Sequence, residues 1–499
     1  MLDKLKYLLK HSFIYSISNL ATKASGVILL PLYSSFFSVS EFGILGILEI
    51  TISILTEILN FGLGQSLVML SNHHDYIDKR KSIFYTLSLI SFLIIVLFIA
   101  LGEISITFIS RFFQNQDTFY FYLKLSVYVI SLRVVNNFFS NKLRADEKSG
   151  WFTSSNLFKL GLTLGFIAYF VAFRKVGIVG VLYSYVISEA VLLVILIPVM
   201  IKQMYLHFEK EIISVAIKFG FPLIFMSIAM LILNVSDRYI LKYFTNYKEV
   251  GLYDLGYRIS GVVNMFIIVP FNMALMPIAY QMYKQEGDKR YFSKLMTYLT
   301  ILLVWISLAL SLFSKEIIKI FALNSDYWAA ANVIPVILFS YIFFGMRIIA
   351  ILGMLLTTKT KSLAIVTIAA SLLNIVLNII FIPKWGMMAA AYSTLISFIF
   401  LYWLTYILSQ KYYRIPYENG KTIITILIGV SVYLLSLIID LNIVIEEIIK
   451  FIFVIIFPFI LYFLNLFEVQ EIDSLAGFYK KWKNPVTWKK NLRDFRDEQ

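Results

Sequence analysis

Cysteine is absent from these 499 residues, and charged side chains make up only 15% of them. The first absence excludes disulfides, thiolate metal sites and cysteine nucleophiles. The second argues against a soluble domain, which carries about 25% charged residues. Histidine is scarce as well. His11, His73, His74 and His207 fall at the edges of apolar runs without metal-ligand spacing, so the doublet reads as a solvated loop and no metal is expected. Gly420-Lys421-Thr422 ends like a phosphate-binding loop, but the earlier glycine such a loop requires is replaced by Ile415. There is no nucleophile elbow, and no outer loop carries paired aspartates. ATP hydrolysis and glycosyl transfer are therefore not expected, and neither is a cofactor. The chain reads as a mover of molecules and not as an enzyme.

What it does have is apolar length. Hydrophobic residues make up 60% and the mean hydropathy is +0.80. Runs of roughly 20 apolar residues, long enough to cross a bilayer, recur at 12–36, 44–70, 84–109, 118–139, 152–173, 177–201, 218–244, 252–282, 292–314, 328–357, 362–383, 385–409, 421–440 and 443–466. They are too long, and alternate too little, for barrel strands. The expected fold is an all-α membrane protein of about fourteen transmembrane helices. The first span is long, contains Lys23 and lacks a small-residue cleavage site, so it is expected to stay uncleaved. Basic residues set the orientation. Lys4, Lys6, Lys10, the loops near 79–81, 142–148, 202–218, 284–294, 359–361 and 411–421, and the tail hold 28 of the 44 lysines and arginines; the opposite loops hold eight. The positive-inside rule then puts both termini in the cytoplasm. The same asymmetry accounts for the +14 net charge without nucleic acid. Lys480, Lys481, Lys483, Lys489 and Lys490, interleaved with Trp482 and Trp488, suit anionic headgroups.

The chain repeats itself. Lys175, Gly177, Tyr183-Ser184 and Ile187-Ser188 recur as Lys384, Gly386, Tyr392-Ser393 and Ile396-Ser397, each 209 residues on; Glu41 and Gly43 recur 208 residues on as Glu249 and Gly251. Such internal duplication is characteristic of transporters. It predicts a first six-helix lobe at 1–210, a second at 211–410 and two added C-terminal helices at 411–466, followed by a basic cytoplasmic tail at 467–499. Six is an even number, so both lobes enter from the same side and the repeat is parallel. Pro31, Pro270, Pro277 and Pro335 are expected to kink their spans.

Eight basic residues fall inside the apolar runs: Lys23, Lys124, Arg133, Lys159, Arg238, Arg258, Arg347 and Lys450. Each costs at least about 2.5–3.5 kcal/mol at mid-bilayer. Lys124 and Lys450 lie near enough to span ends to reach a surface. The acidic candidates are Glu49, Glu57, Glu189, Asp237 and Asp254. Asp254 and Arg258 are four apart on one helical face. Lys23 and Glu57 lie at matching depth from the outer ends of spans one and two, and are expected to meet near the midplane. Arg133, Lys159, Arg238 and Arg347 have no partner close in sequence. This surplus of positive charge points to an anionic substrate, and phosphate or pyrophosphate suits the arginine fork. Lys23, Arg133, Lys159, Arg238, Arg258 and Arg347 are the candidate substrate-binding residues, with Glu57, Asp237 and Asp254 as coupling or structural partners.

Three early patches carry a resemblance: Ser40-Glu41-Phe42-Gly43, Gly62-Leu63-Gly64-Gln65-Ser66 and Leu143-Arg144-Ala145-Asp146-Glu147-Lys148-Ser149. Asn234-Val235-Ser236-Asp237-Arg238-Tyr239-Ile240-Leu241, Glu249-Val250-Gly251-Leu252-Tyr253, and Ile382-Pro383-Lys384-Trp385-Gly386 with Ala389-Ala390-Ala391 continue it. In this order, over roughly residues 10–410, they resemble the polysaccharide exporter (Wzx-type flippase) family. The resemblance implies the multidrug/oligosaccharidyl-lipid/polysaccharide exporter fold, two six-helix lobes in a V around a central cavity. It also implies a polyprenyl-pyrophosphate-linked oligosaccharide moved from the inner to the outer leaflet of a bacterial plasma membrane, with a proton or sodium ion as possible driver. Relatives that flip the peptidoglycan lipid precursor carry two extra C-terminal helices, which here would be residues 421–466. The competing functions are a cation-coupled drug antiporter of the same fold, which calls for an acid-dominated cavity, and a glycan polymerase or ligase, which calls for a large outer loop.

Overall fold

An apolar segment in lipid must satisfy its own backbone hydrogen bonds, and a helix does so within itself. The computed structural model, which describes residues 18, 20–111, 116–439, 441–464 and 466, is helical from end to end, with no strand among the described residues. A helical stretch at 20–28 leads into α1 (Leu30–Phe36), followed by α2 (Val39–Leu59), α3 (Leu63–Asn72), α4 (Arg80–Ser110), α5 (Gln116–Ala145), α6 (Ser149–Ile167) and α7 (Ile178–Ile201). Past the linker come α8 (Lys210–Phe244), α9 (Tyr247–Val263), α10 (Val269–Met282), α11 (Asp288–Leu312) and α12 (Ser314–Phe321). The chain continues with α13 (Ile334–Ala350), α14 (Leu352–Leu356), α15 (Thr360–Tyr412), α16 (Asn419–Ser436) and α17 (Ile443–Phe463). Among the described residues, ten helical segments are long and apolar enough to cross a membrane. One of them, α15, contains two of the expected spans, divided where Gly386 leaves helical geometry. Large apolar side chains such as Phe92, Leu97, Ile104 and Phe108 of α4 stay exposed, as a lipid-facing surface requires. Lys4, Lys6, Lys10 and the 467–499 tail lie outside the described residues.

The duplication reappears in the backbone. Gly177 and Gly386, matched at 209 residues, both take positive φ (72° and 53°) immediately before a helix. Ser38 and Asn246, matched at 208, both cap a helix through a side-chain oxygen, accepting from the amides of Glu41 and Glu249 at 3.3 and 3.0 Å. Glu41 completes a capping box by accepting from the Ser38 amide at 2.8 Å. Its counterpart Glu249 accepts instead from the Met387 amide at 2.9 Å, so it caps the half of α15 that starts after Gly386.

Two glycine contacts bring the halves together. At the Ser38 end, α2 crosses α9. A Cβ on Gly43 would sit 2.0 Å from the Tyr247 carbonyl oxygen, and one on Gly251 would sit 2.1 Å from that of Val39. Val39 and Tyr247 are themselves matched at 208, so the crossing is pseudo-symmetric. At the other end of the second span, Phe61 and Gly62 have φ of 48° and 67° and break α2 from α3. A Cβ on Gly62 would lie 2.4 Å from the Gly220 carbonyl oxygen, and Ser66 Oγ donates to the Ala216 carbonyl at 2.8 Å. Gly43→Ala is expected to force α2 and α9 apart at a cost of about 1–3 kcal/mol, the usual range for overpacking. A lowered thermal midpoint in detergent checks this, and an unchanged one would show that the crossing yields freely.

Proline does not act uniformly. The chain turns at Leu29, just before Pro31, and a π-helical stretch at Asn264–Ile268 precedes Pro270, so these two mark breaks. Pro335 sits in the first turn of α13, where its missing N–H costs nothing, and it opens the helix without kinking it. Lys450, expected to reach a surface, is buried. Its Nζ lies 3.3 Å from Glu316, 2.9 Å from Glu446 and 2.9 Å from Glu447, tying α17 to α12. The linker is held to the start of α4 by Lys79 Nζ and Glu209 Oε2 at 3.0 Å; that hydrogen bond keeps the Glu209 carboxyl below the usual carboxylate range.

Candidate functional site

Polar side chains on six different spans converge on one chamber of about 380 Å³. Thr22, Ser25, Gly26, Leu29 and Tyr33 form one wall, and Glu49 and Ser53 of α2 a second. Arg133 and Asn137 come from α5; Asn156, Lys159, Leu160, Thr163 and Leu164 from α6; Tyr185 and Glu189 from α7. Among the described residues, Arg258 of α9 is the sole lining residue from the second half. The chamber therefore belongs mainly to the first lobe and is closed by an arginine from the second.

Its charges are organised around two carboxylates. Glu189, whose side chain is 5% exposed, takes Arg133 Nε at 3.2 Å and Lys159 Nζ at 3.3 Å on Oε1, and Asn136 Nδ2 at 2.8 Å on Oε2. The Arg133 guanidinium also lies over the Tyr185 ring at 4.9 Å. Tyr185 donates its hydroxyl to Glu49, whose other oxygen accepts from Arg258 Nη2 at 2.6 Å. Arg258 Nε donates to Asp254 at 2.7 Å, the contact its i,i+4 spacing predicts. Asp254 also meets Arg238 Nε at 3.3 Å, and Arg238 Nη1 reaches Asp237 at 2.9 Å. A chain of ion pairs thus runs from the first lobe into the second. The chamber wall itself carries three cations and two carboxylates, a surplus of one positive charge.

The structure divides the six basic candidates. Arg133, Lys159 and Arg258 line the chamber; Lys23, Arg238 and Arg347 do not. Arg238 is buried behind it with Asp237 and Asp254, and its guanidinium lies over the Tyr257 and Tyr253 rings at 4.1 and 5.0 Å. Lys23 is exposed, and no ion pair joins it to Glu57 among the described residues. The reason is rotational. At about 100° per residue, Thr22, Ser25, Gly26 and Leu29 share one face, while Lys23 lies about 100° round from Thr22. Glu57 continues the stripe of Glu49 and Ser53 by one turn, beyond the chamber. Arg347 sits in the second lobe with Thr367 Oγ1 at 3.4 Å, and its Nε has no partner among the described residues.

Glu49 and Glu189 count among the acidic residues of the sequence, but nothing in the sequence places them, or Tyr185, Asn137 and Asn156, at the site. One signal was present. The repeat matches Ile187-Ser188 to Ile396-Ser397, and the next position is Glu189 in the first half but Phe398 in the second. A carboxylate inside one copy, where the other has a core aromatic, marks a difference between the two copies and points to the first. Among the described residues, no group of three or more His, Cys, Asp or Glu is arranged to hold a metal.

Helices and chamber together define a polytopic membrane protein with a polar site enclosed by apolar spans. The chain belongs to the polysaccharide biosynthesis protein family, whose profile matches residues 8–283. An uncharacterized membrane protein of Methanocaldococcus jannaschii is 24% identical over 454 residues, covering 83% of this chain and 87% of that protein. Among solved structures, the lipid II flippase MurJ in an inward closed conformation superposes with a TM-score of 0.74 at 15% identity, covering 90% of this chain and 99% of that one. An inward-facing multidrug resistance transporter of the MATE family, in the MOP superfamily, follows with a TM-score of 0.65 at 13% identity, over 80% of this chain and 94% of that one. At such identities the likeness concerns the fold.

Proposed function

We propose that this protein moves a polyprenyl-pyrophosphate-linked oligosaccharide from the inner to the outer leaflet of the plasma membrane, with both termini cytoplasmic. The carrying observation is the chamber, where Arg133, Lys159 and Arg258 meet amide and hydroxyl side chains in one enclosed volume. Arginine forks and a lysine suit the oxygens of a diphosphate, and Asn137, Asn156, Ser25, Ser53 and Thr163 offer hydrogen bonds to sugar hydroxyls. About 380 Å³ falls in the roughly 300–1,000 Å³ range of small-ligand sites. It suits the diphosphate and its first sugar, while the polyprenyl tail remains in lipid. In this reading the glycine crossing of α2 and α9 closes the outer mouth and the Gly62–Gly220 contact the inner one. Alternating access follows from parting one contact while the other stays shut. Family membership and the MurJ-like fold support the substrate class.

The test is reconstitution. Proteoliposomes containing the protein should translocate a fluorescent lipid-linked oligosaccharide, and protein-free vesicles should not. Transport of a cationic drug in its place would favour the antiporter reading. No movement of either, from protein shown to be folded, would sink the proposal.

A further inference from the structure

Arg258 belongs to two arrangements at once. It lines the chamber, and its Nη2 makes an ion pair across the two halves with Glu49 at 2.6 Å. That pair stands in line with the glycine crossing. Down α2 the contacting residues are Gly43, Gly46 and Glu49; down α9 they are Gly251, Asp254 and Arg258. A Cβ on Gly46 would lie 3.2 Å from an Asp254 carboxylate oxygen, so the helices stay close as far as the ion pair. Among the described residues, the other polar links between the halves near this end are uncharged: Thr51 with Tyr239 at 2.7 Å, the Tyr327 hydroxyl donating to the Phe37 carbonyl at 3.0 Å, and Ser34 Oγ donating to the Phe321 carbonyl and accepting from the Leu323 amide, both at 3.3 Å.

The two carboxylates on Arg258 are held unequally. Asp254 is buried and also carries Arg238. Glu49 is about a fifth exposed, faces the chamber and has the Tyr185 hydroxyl as a second partner. An anion entering the chamber therefore competes with Glu49 for the guanidinium and leaves Asp254 in place. Tyr185 would still satisfy the released carboxylate. Closure of the α2–α9 crossing and occupation of Arg258 by an anion draw on the same guanidinium edge. A ligand shifts a conformational equilibrium only by binding its states unequally, and this shared edge supplies the inequality.

We propose that the Glu49–Arg258 pair is a latch on the outer mouth which the anionic group of the substrate releases by taking Arg258 from Glu49. The proposal rests on reading the chamber as an anion site. Glu49 is then a positioning residue that makes opening conditional on a bound anion.

The absence of native cysteine makes the test direct. Ser40 and Lys248 are exposed and flank the crossing in matched positions of the two repeats. Ser40→Cys and Lys248→Cys, spin-labelled in lipid nanodiscs, report the separation of α2 and α9 by double electron–electron resonance. In the otherwise unaltered protein, a sugar-free polyprenyl pyrophosphate should add a longer-distance population. Glu49→Gln and Arg258→Gln should each show that population without lipid, and Arg258→Gln should not respond to added lipid. The exchange Glu49→Arg with Arg258→Glu should return the short distance, which separates a lost latch from a damaged fold. If Glu49→Gln and Arg258→Gln keep the short distance while remaining monodisperse, the latch is overturned. Binding of the same lipid, read by thermal shift, separates the two ideas. Binding by the unaltered protein, with distances that no substitution moves, sinks the latch alone. No binding at all counts against both the anion site and the release step.

Discussion

Arg238→Ala is expected to destabilise the protein by about 3–5 kcal/mol, the range for removing one partner of a buried ion pair. Arg238 is 3% exposed and serves two carboxylates that are also buried, Asp237 at 1% and Asp254 at 3%. Its Nη1 also donates to the Asn234 carbonyl at 2.7 Å, tying the guanidinium to its own helix. Truncation leaves Asp237 with the Tyr253 hydroxyl and the Arg238 backbone amide, and Asp254 with Arg258 alone among cations. Arg238→Lys should recover only part of the loss, because one ammonium cannot reproduce a fork that contacts two carboxylates and lies over an aromatic ring. The yield and thermal midpoint of monodisperse protein in detergent measure both. Arg347→Met should cost much less, since no carboxylate among the described residues is stranded when it goes. Equal behaviour of Arg238→Ala and Arg347→Met would contradict the account of Arg238 as the charge that permits two buried aspartates.

The second large effect concerns Glu189. Removing Arg133 and Lys159 together should abolish transport and also lower stability by about 3–5 kcal/mol, because the stranded carboxylate keeps only Asn136. Either substitution alone should lower transport roughly tenfold to a hundredfold, as expected for one charged contact of about 1.5–3 kcal/mol. Adding Glu189→Gln to the double variant should restore stability while leaving transport lost. That split separates the structural duty of these cations, which is to neutralise Glu189, from their proposed duty toward the substrate. If transport returns along with stability, Arg133 and Lys159 are structural and the anion site lies elsewhere.

Charge pairs are legible in the sequence only where the partners share a helix. Asp254 and Arg258 meet because four residues along an α-helix bring two side chains to one face, whatever else the chain does. Arg133, Lys159 and Glu189 sit on α5, α6 and α7, and neither spacing nor composition says that these three faces turn toward each other. Lys23 and Glu57 show the converse. Depth in the membrane follows from counting residues, but rotation about the helix axis follows from packing, and Lys23 is turned away from the chamber face. Most of the surplus of unpaired cations in the sequence disappears in the fold, because the partners lie on other helices. Arg133, Lys159 and Arg238 all have carboxylates, and a single positive charge remains on the chamber wall.

The sequence by itself determined that this is a helical membrane protein built on a duplication. Apolar length and backbone hydrogen bonding leave lipid-spanning segments no other form, and a constant offset imposes the same local geometry twice, down to the positive φ of Gly177 and Gly386. It also determined which residues are costly enough in lipid to need a partner. Only the tertiary structure decided which of them found a carboxylate partner, that the chamber lies in the first lobe, and that Arg258 closes it from the second. Those outcomes depend on helix rotation and on the close approach that Gly43 and Gly251 permit, and both are set by contacts between segments some 200 residues apart.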